Sequence, residues 1–200
     1  MIEVFDPDSH WFFRLAKRVA TEFFRFSFRW KVVGAHHVPD TGPIIISSNH
    51  IHYLDPPAIG ASIRRATSFM AKEELFRNRW IGNMLRILGA FPVRRGTSDK
   101  AAIKYALAVP ANGHCLTVFP EGHRSKDGKL AKGLTGVAFI ARKANCPIVP
   151  AAVIGPYRFR KPLTVRFGAP IFVNPDDTNE SLLERIMQQI QLLLDEGHAL

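Results

Sequence analysis

The chain has 200 residues, 46% hydrophobic and 22% charged, so it is long enough for one full core and too apolar for wholesale disorder. Its 27 Lys and Arg against 17 Asp and Glu leave a net charge of +10, which calls for an anionic partner: nucleic acid, an anionic membrane or a phosphorylated substrate. It holds no run of 18 apolar residues, so a transmembrane helix is not expected, and its acidic first ten residues do not read as a secretory signal.

The charge is segmented. Residues 11–31 carry six Lys or Arg against Glu22, and residues 64–104 carry ten against three acidic groups. Residues 105–170 carry ten against two, and the last thirty carry one against six. The basic surface therefore belongs to the N-terminal and central segments, and the last thirty residues are acidic. Cys115 and Cys146 are 31 residues apart and are expected as two buried, reduced thiols.

Taken in order, Trp11 to Trp30 reads as an amphipathic helix. Phe12, Leu15, Ala16, Val19, Phe23, Phe26 and Trp30 fall on one 3.6-period face, with Arg14, Lys17, Arg18, Arg25 and Arg29 elsewhere. Phe13, Phe24 and Phe28 widen the apolar part. A basic helix this rich in aromatics fits a membrane interface, and a helix docked on its own domain is the other reading.

Strands are expected at Ile44–Ser47, Ala66–Ala71, Leu116–Phe119, Ile148–Ile154 and Leu163–Phe167. Helices are expected at Pro56–Arg64, Leu75–Leu88, Ser98–Val109 (capped by Ser98 or Asp99), Leu134–Ala144 and Ser181–Leu194, the last with Ser181 and Glu184 as a capping box. This alternation predicts a single α/β domain, a mainly parallel sheet flanked by helices. Ligands bind such sheets beyond the carboxyl ends of the strands.

Three polar clusters sit at those ends. The first is Asn49-His50, with Asp55 after four residues. Pro56 suits the first helical position, so Asp55 reads as an N-cap that can turn back to His50. A carboxylate on one ring nitrogen makes the other a better base for a substrate hydroxyl. A satisfied turn histidine with a plain capping aspartate fits the same residues. His50 and His52 alternate as strand-borne metal ligands would, but no third or fourth ligand follows, so no metal is expected. His36-His37 reads as an exposed loop pair without a partner.

The second cluster is Phe119-Pro120-Glu121-Gly122-His123-Arg124-Ser125. Arg124 suits a phosphate and Glu121 suits hydroxyls; an exposed Glu–Arg pair is the plainer reading. The third holds Lys72 and Phe91-Pro92-Val93-Arg94-Arg95, which are either phosphate ligands or surface charge.

Asn49-His50 with Asp55 resembles the NHxxxxD motif of the glycerolipid acyltransferases. Phe119 to Ser125 resembles their FPEGTRS motif. Phe91 to Arg94 resembles their FxxR block, Lys72 their lysine block, and Val149-Pro150-Ala151-Ala152-Val153 their final block. All five occur in family order over residues 30–170, which chance rarely produces. The chain resembles, in particular, the PlsC-like 1-acyl-sn-glycerol-3-phosphate acyltransferases.

The resemblance implies acyl transfer from acyl-CoA or acyl carrier protein to the free hydroxyl of a lysophospholipid, above all 1-acylglycerol-3-phosphate. It implies His50 as general base and Asp55 as its orienting carboxylate. Lys72, Arg94 and Arg124 would hold the phosphate, with Glu121 and Gly122 shaping the acceptor site; Asn49, His123 and Ser125 flank these groups. No metal or other cofactor is implied. His123 stands where the family has threonine, and an imidazole there can meet a second anionic group or act as a second base. Residues 1–30 would then be a membrane-associating helix and residues 31–200 the acyltransferase domain, peripheral on the cytoplasmic face of a membrane. Another lyso-lipid or glycolipid acceptor is the alternative, followed by a non-catalytic anionic-membrane-binding protein and a metal-dependent hydrolase using His50 and His52. Nucleic acid is disfavoured, because the aromatics gather in the first helix instead of interleaving with the central basic stretch.

Overall fold

A computed structural model describes residues 4, 6–94, 99–125 and 127–198. Among these residues seven strands form one sheet: β1 (Arg29–Val33), β2 (Ile44–Ser48), β3 (Thr67–Lys72), β4 (Ala90–Val93), β5 (Cys115–Val118), β6 (Ile148–Ile154) and β7 (Pro162–Phe167). Their order is β1-β7-β6-β2-β5-β3-β4. Every neighbouring pair is parallel except β6 with β7, so β7 and β1 run against the other five.

Among the described residues six α-helices cover the faces: α1 (Trp11–Ser27), α2 (Asp55–Ser62), α3 (Arg79–Ile87), α4 (Lys100–Ala111), α5 (Gly136–Ala144) and α6 (Asn179–His198). Strand β2 is buried along its whole length, which is why it reads as an unbroken apolar run. Alternate side chains divide between two cores. Ile45 joins Leu116, Ile148, Leu182, Ile186 and Ile190 on one side. Ile44 and Ile46 join Phe24, Phe28, Ile59 and Leu163 on the other. Cys115 and Cys146 form no disulfide with each other and are buried in different cores, and burial, with a smaller push from Cys115, raises the Cys146 thiol to about 12.

Several boundaries differ from expectation for local reasons. The first helix ends at Ser27, and Trp30 belongs to edge strand β1, whose residues fit the helical period by coincidence. Strand β4 contains Pro92, which argues against a strand in general but is tolerated here because β4 is the other edge. The stretch expected as one helix from Leu75 is a 3₁₀ turn followed by α3, because the Asn78 side chain caps the amides of Trp80 and Ile81 and restarts the chain. Asp99 caps α4 as expected, while Ser98 and Arg95 lie outside the described residues. Helix α6 opens on reciprocal bonds between Thr178 and Ser181, not on Ser181 and Glu184, so the capping box sits one turn earlier. His37 is not free either: its Nδ1 lies 3.1 Å from the Phe167 carbonyl oxygen.

Candidate active site

Central strand β2 delivers Asn49 and His50 to the carboxyl edge of the sheet. Its two neighbours, β5 and β6, supply the groups that fix them. The Asn49 side chain donates to the Val153 carbonyl at 3.0 Å and accepts from the Val153 N–H at 2.8 Å. A side-chain amide thus continues the sheet ladder after β2 has ended, a role that needs a donor and an acceptor on one group.

The His50 backbone is held by the 119–125 loop. Its N–H donates to Glu121 Oε1 at 2.8 Å, and its carbonyl accepts from the Ser125 N–H at 2.7 Å. The imidazole stacks on Phe119, with ring centroids 4.1 Å apart. Nδ1 lies 2.7 Å from Asp55 Oδ2. A carboxylate only accepts, so Nδ1 carries the proton in this bond and Nε2 is left with its lone pair.

Asp55 is fully buried. Its Oδ2 also accepts from the N–H groups of Ile51 and His52, each at 2.7 Å. The expected capping role is not what the geometry contains. Leu54 precedes the helix, Asp55 is its first residue, and the carboxylate faces back over the loop. The residues that follow explain this. Pro57 removes one amide that a cap would bond, and the other, of Ala58, donates to the Leu54 carbonyl at 2.9 Å, so the carboxylate turns to the histidine and its loop.

One partner carries no sequence signal. Tyr157, in the loop after β6, donates its hydroxyl to Asp55 Oδ1 at 2.7 Å. Its ring stacks on His52 at 4.3 Å and meets Phe28 edge-on. Burial first, then the adjacent carboxylate, pushes the phenol far above its ordinary value, so it stays a donor. Its place beyond the carboxyl end of a predicted strand does not by itself single it out.

His50 and His52 do not converge. The Nδ1 of His52 accepts from the Leu54 N–H at 3.2 Å, while that of His50 faces Asp55. Among the described residues no three His, Cys, Asp or Glu side chains are grouped to hold a metal ion.

Glu121 was expected to meet substrate hydroxyls. It is instead 2% exposed, with Oε1 on His50 and Oε2 accepting from the Ala131 N–H at 2.9 Å. It ties the histidine to the following loop. Gly122 turns that loop at φ +70°, where a Cβ would stand 3.0 Å from a Leu134 methyl. His123 is exposed, its ring turned to the Arg124 carbonyl, and the Ser125 hydroxyl donates to Asp127 at 3.0 Å.

His50 opens onto a cavity of about 690 Å³. Lys72 and Arg124 line it, and the Arg124 guanidinium lies over the Tyr53 ring at 3.4 Å. The remaining wall is largely apolar, built by Phe13, Ala16 and Ala20 of α1, by Pro57, Gly60 and Ala61 of α2, and by Leu75, Leu85 and Leu88. Arg94 does not line this cavity. It lines another of about 320 Å³ with Arg86 and Tyr105, and its Nε lies 3.4 Å from Glu73. Arg94 directly follows Val93, the register partner of Lys72, so both cations still stand on the same edge of the sheet.

Fold and site together define an α/β domain with a buried histidine–aspartate pair beside a cavity of lipid-like character. Residues 29–154 match the model of the acyltransferase family. The 1-acyl-sn-glycerol-3-phosphate acyltransferase of Streptococcus pneumoniae is 31% identical over 186 residues, covering 84% of this chain and 69% of that protein. The enzyme of the same name from Bacillus subtilis is 33% identical over 127 residues, 63% of either chain. The crystal structure of the 1-acyl-sn-glycerophosphate (LPA) acyltransferase PlsC from Thermotoga maritima shares the fold, with a TM-score of 0.78 at 23% identity over 94% of this chain and 82% of that one. The chain belongs to the PlsC-like acyltransferase family, and it spans roughly two thirds of the length of these two bacterial relatives.

Proposed function

We propose that the protein transfers a fatty acyl group from acyl-CoA or acyl carrier protein to the free hydroxyl of 1-acylglycerol-3-phosphate, giving phosphatidic acid. The observation that carries this reading is the His50–Asp55 pair at 2.7 Å beside a cavity with cations near the histidine and an apolar wall beyond. The names of the relatives support the same acceptor.

The geometry supports the following chemistry. The Nε2 of His50 removes the hydroxyl proton as the oxygen attacks the thioester carbonyl. The resulting imidazolium is stabilised by Asp55 across Nδ1. The tetrahedral intermediate collapses, the carbon–sulfur bond breaks, and the proton on Nε2 passes to the leaving thiolate. No acyl-enzyme forms. A placed base contributes about 10²–10⁴-fold, and holding both substrates in register adds to it. Lys72 and Arg124 meet the phosphate at the cavity's polar end; Arg94 approaches the same edge from the neighbouring cavity. Glu121, Gly122, Asn49 and Ser125 place His50 without touching substrate.

Helix α1 would bring the site to its lipids. Phe13 and Phe24 dock it, while Trp11, Leu15, Val19 and Phe26 are exposed beside Arg14, Arg18 and Arg25. That pattern suits a helix lying in an anionic interface. No described helix is long and apolar enough to cross a membrane. The exposed aromatic and basic face of α1 supports peripheral attachment, on the cytoplasmic leaflet where thioester donors are available.

The test is transfer from labelled acyl-CoA and from acyl carrier protein to lysophosphatidic acid in vesicles, against a panel of other lyso-lipids. Transfer to lysophosphatidic acid that is lost in His50→Ala supports the reading. Equal transfer by His50→Ala sinks the mechanism, and transfer only to another acceptor sinks the substrate assignment.

A further inference from the structure

Helix α3 has an apolar face that is only half used. Leu85, with Leu88 just past the helix end, turns into the active-site cavity. Trp80, Ile81 and Met84, on the same side at helical spacing, lie in solvent, and Trp80 is 88% exposed. Leu75, at 50% exposure, belongs both to the cavity lining and to the outer surface. The exposed patch is thus continuous with the cavity rim. Arg77 is exposed just before the helix, while Arg79 and Arg86 stand on the side of α3 away from the patch, with Arg86 lining the neighbouring cavity. Isolated exposed apolar residues need no explanation, but a contiguous patch with a tryptophan does.

We propose that α3 is a second membrane-contacting element, with Trp80, Ile81 and Met84 inserted in the headgroup–acyl boundary of an anionic phospholipid bilayer. The charge complementarity selects a bilayer over a neutral apolar partner, since the segment 64–104 that holds the patch carries ten Lys or Arg against three acidic groups. Helices α1 and α3 both wall the cavity around His50. With both in the interface, the rim at Leu75 opens into lipid, and an acyl chain enters without crossing water. This inference rests on the membrane reading of α1, and its test separates the two.

Cys115 and Cys146 are buried, so a cysteine placed at an exposed site is the accessible thiol. Met84→Cys on α3 and, separately, Val19→Cys on α1 are labelled with a polarity-sensitive nitrobenzoxadiazole dye. Each protein is mixed with phosphatidylglycerol–phosphatidylcholine vesicles, some carrying spin-labelled acyl chains. The proposal expects co-sedimentation, with enhanced emission and spin-label quenching at both positions. The Trp80→Ser/Met84→Ser protein should bind vesicles at least roughly tenfold more weakly. Co-sedimentation with quenching at position 19 alone overturns the α3 proposal and leaves α1 standing. Failure to co-sediment overturns both. An emission rise at position 84 that tracks protein concentration without vesicles assigns the patch to a second copy of this chain and overturns the bilayer reading.

Discussion

The hydroxyl of Tyr157 donates to Asp55 Oδ1 at 2.7 Å, opposite the oxygen that holds His50. The carboxylate is therefore gripped on both oxygens, and its angle to the imidazole depends on a residue 102 positions away in sequence. Tyr157→Phe removes one bond to a buried charge and keeps the stack on His52. Bonds of that kind contribute about 1.5–3 kcal/mol, and only part reaches the transition state. The expected result is a kcat lowered about three- to thirty-fold with KM for the acceptor unchanged, since Tyr157 does not line the cavity. A rise in KM alone would contradict this placement.

Asp55 allows charge and shape to be tested separately. In Asp55→Asn, the oxygen can keep the bonds from Ile51, His52 and His50 while the amide donates to Tyr157, whose hydroxyl rotates to accept. Thermal stability should change little and kcat should fall by about 10²–10⁴. Asp55→Ala instead leaves buried N–H groups of the 51–52 loop unpaired, at about 1–3 kcal/mol each. Its melting temperature should drop clearly below that of Asp55→Asn. Equal melting temperatures would show that the carboxylate does not hold the loop.

Glu121 and Arg124 are three residues apart and should fail in different ways. Glu121 bonds two backbone amides and is buried. In Glu121→Gln one of these amides faces another N–H donor, so melting temperature and kcat fall together. Arg124 lines the cavity and is half-buried, resting on Tyr53. Arg124→Met should leave stability within about 0.5 kcal/mol. It should raise KM for the phosphate-bearing acceptor about tenfold or more, as losing a charged hydrogen bond implies. Steady-state kinetics and a thermal melt on each variant decide the point.

The contrast shows what residue order can and cannot reveal. The alternation of apolar runs and amphipathic stretches placed five of the seven strands, because buried parallel strands are short, apolar and bounded by turns. Strands β1 and β4 escaped because edges tolerate Lys31 and Pro92. The histidine–aspartate pairing was legible only as one of two readings of the turn, and the resemblance to the acyltransferase motif chose between them. The part of Glu121 was not. A carboxylate that binds backbone and one that binds substrate look alike until the depth of the loop is known. Tyr157 was invisible for a related reason, because its partner is brought to it only by the pairing of β6 beside β2.

The apolar end of the cavity should set the length of the transferred chain. Gly60 sits on α2 in the largely apolar part of the lining, and a Cβ built there has nothing within 4 Å. Gly60→Leu therefore adds a side chain to empty space instead of forcing one into a packed core. Replacing a helical glycine also gains up to about 1 kcal/mol in helix propensity, so the fold should be at least as stable. The leucine shortens the apolar space while His50, Asp55 and the cations stay in place. Transfer from long-chain acyl-CoA should fall at least tenfold and transfer from short-chain acyl-CoA should persist, read as kcat/KM across a donor series. A uniform loss at every length would mean that Gly60 governs the acceptor and not the acyl chain. An unchanged series would place the acyl chain elsewhere on the molecule.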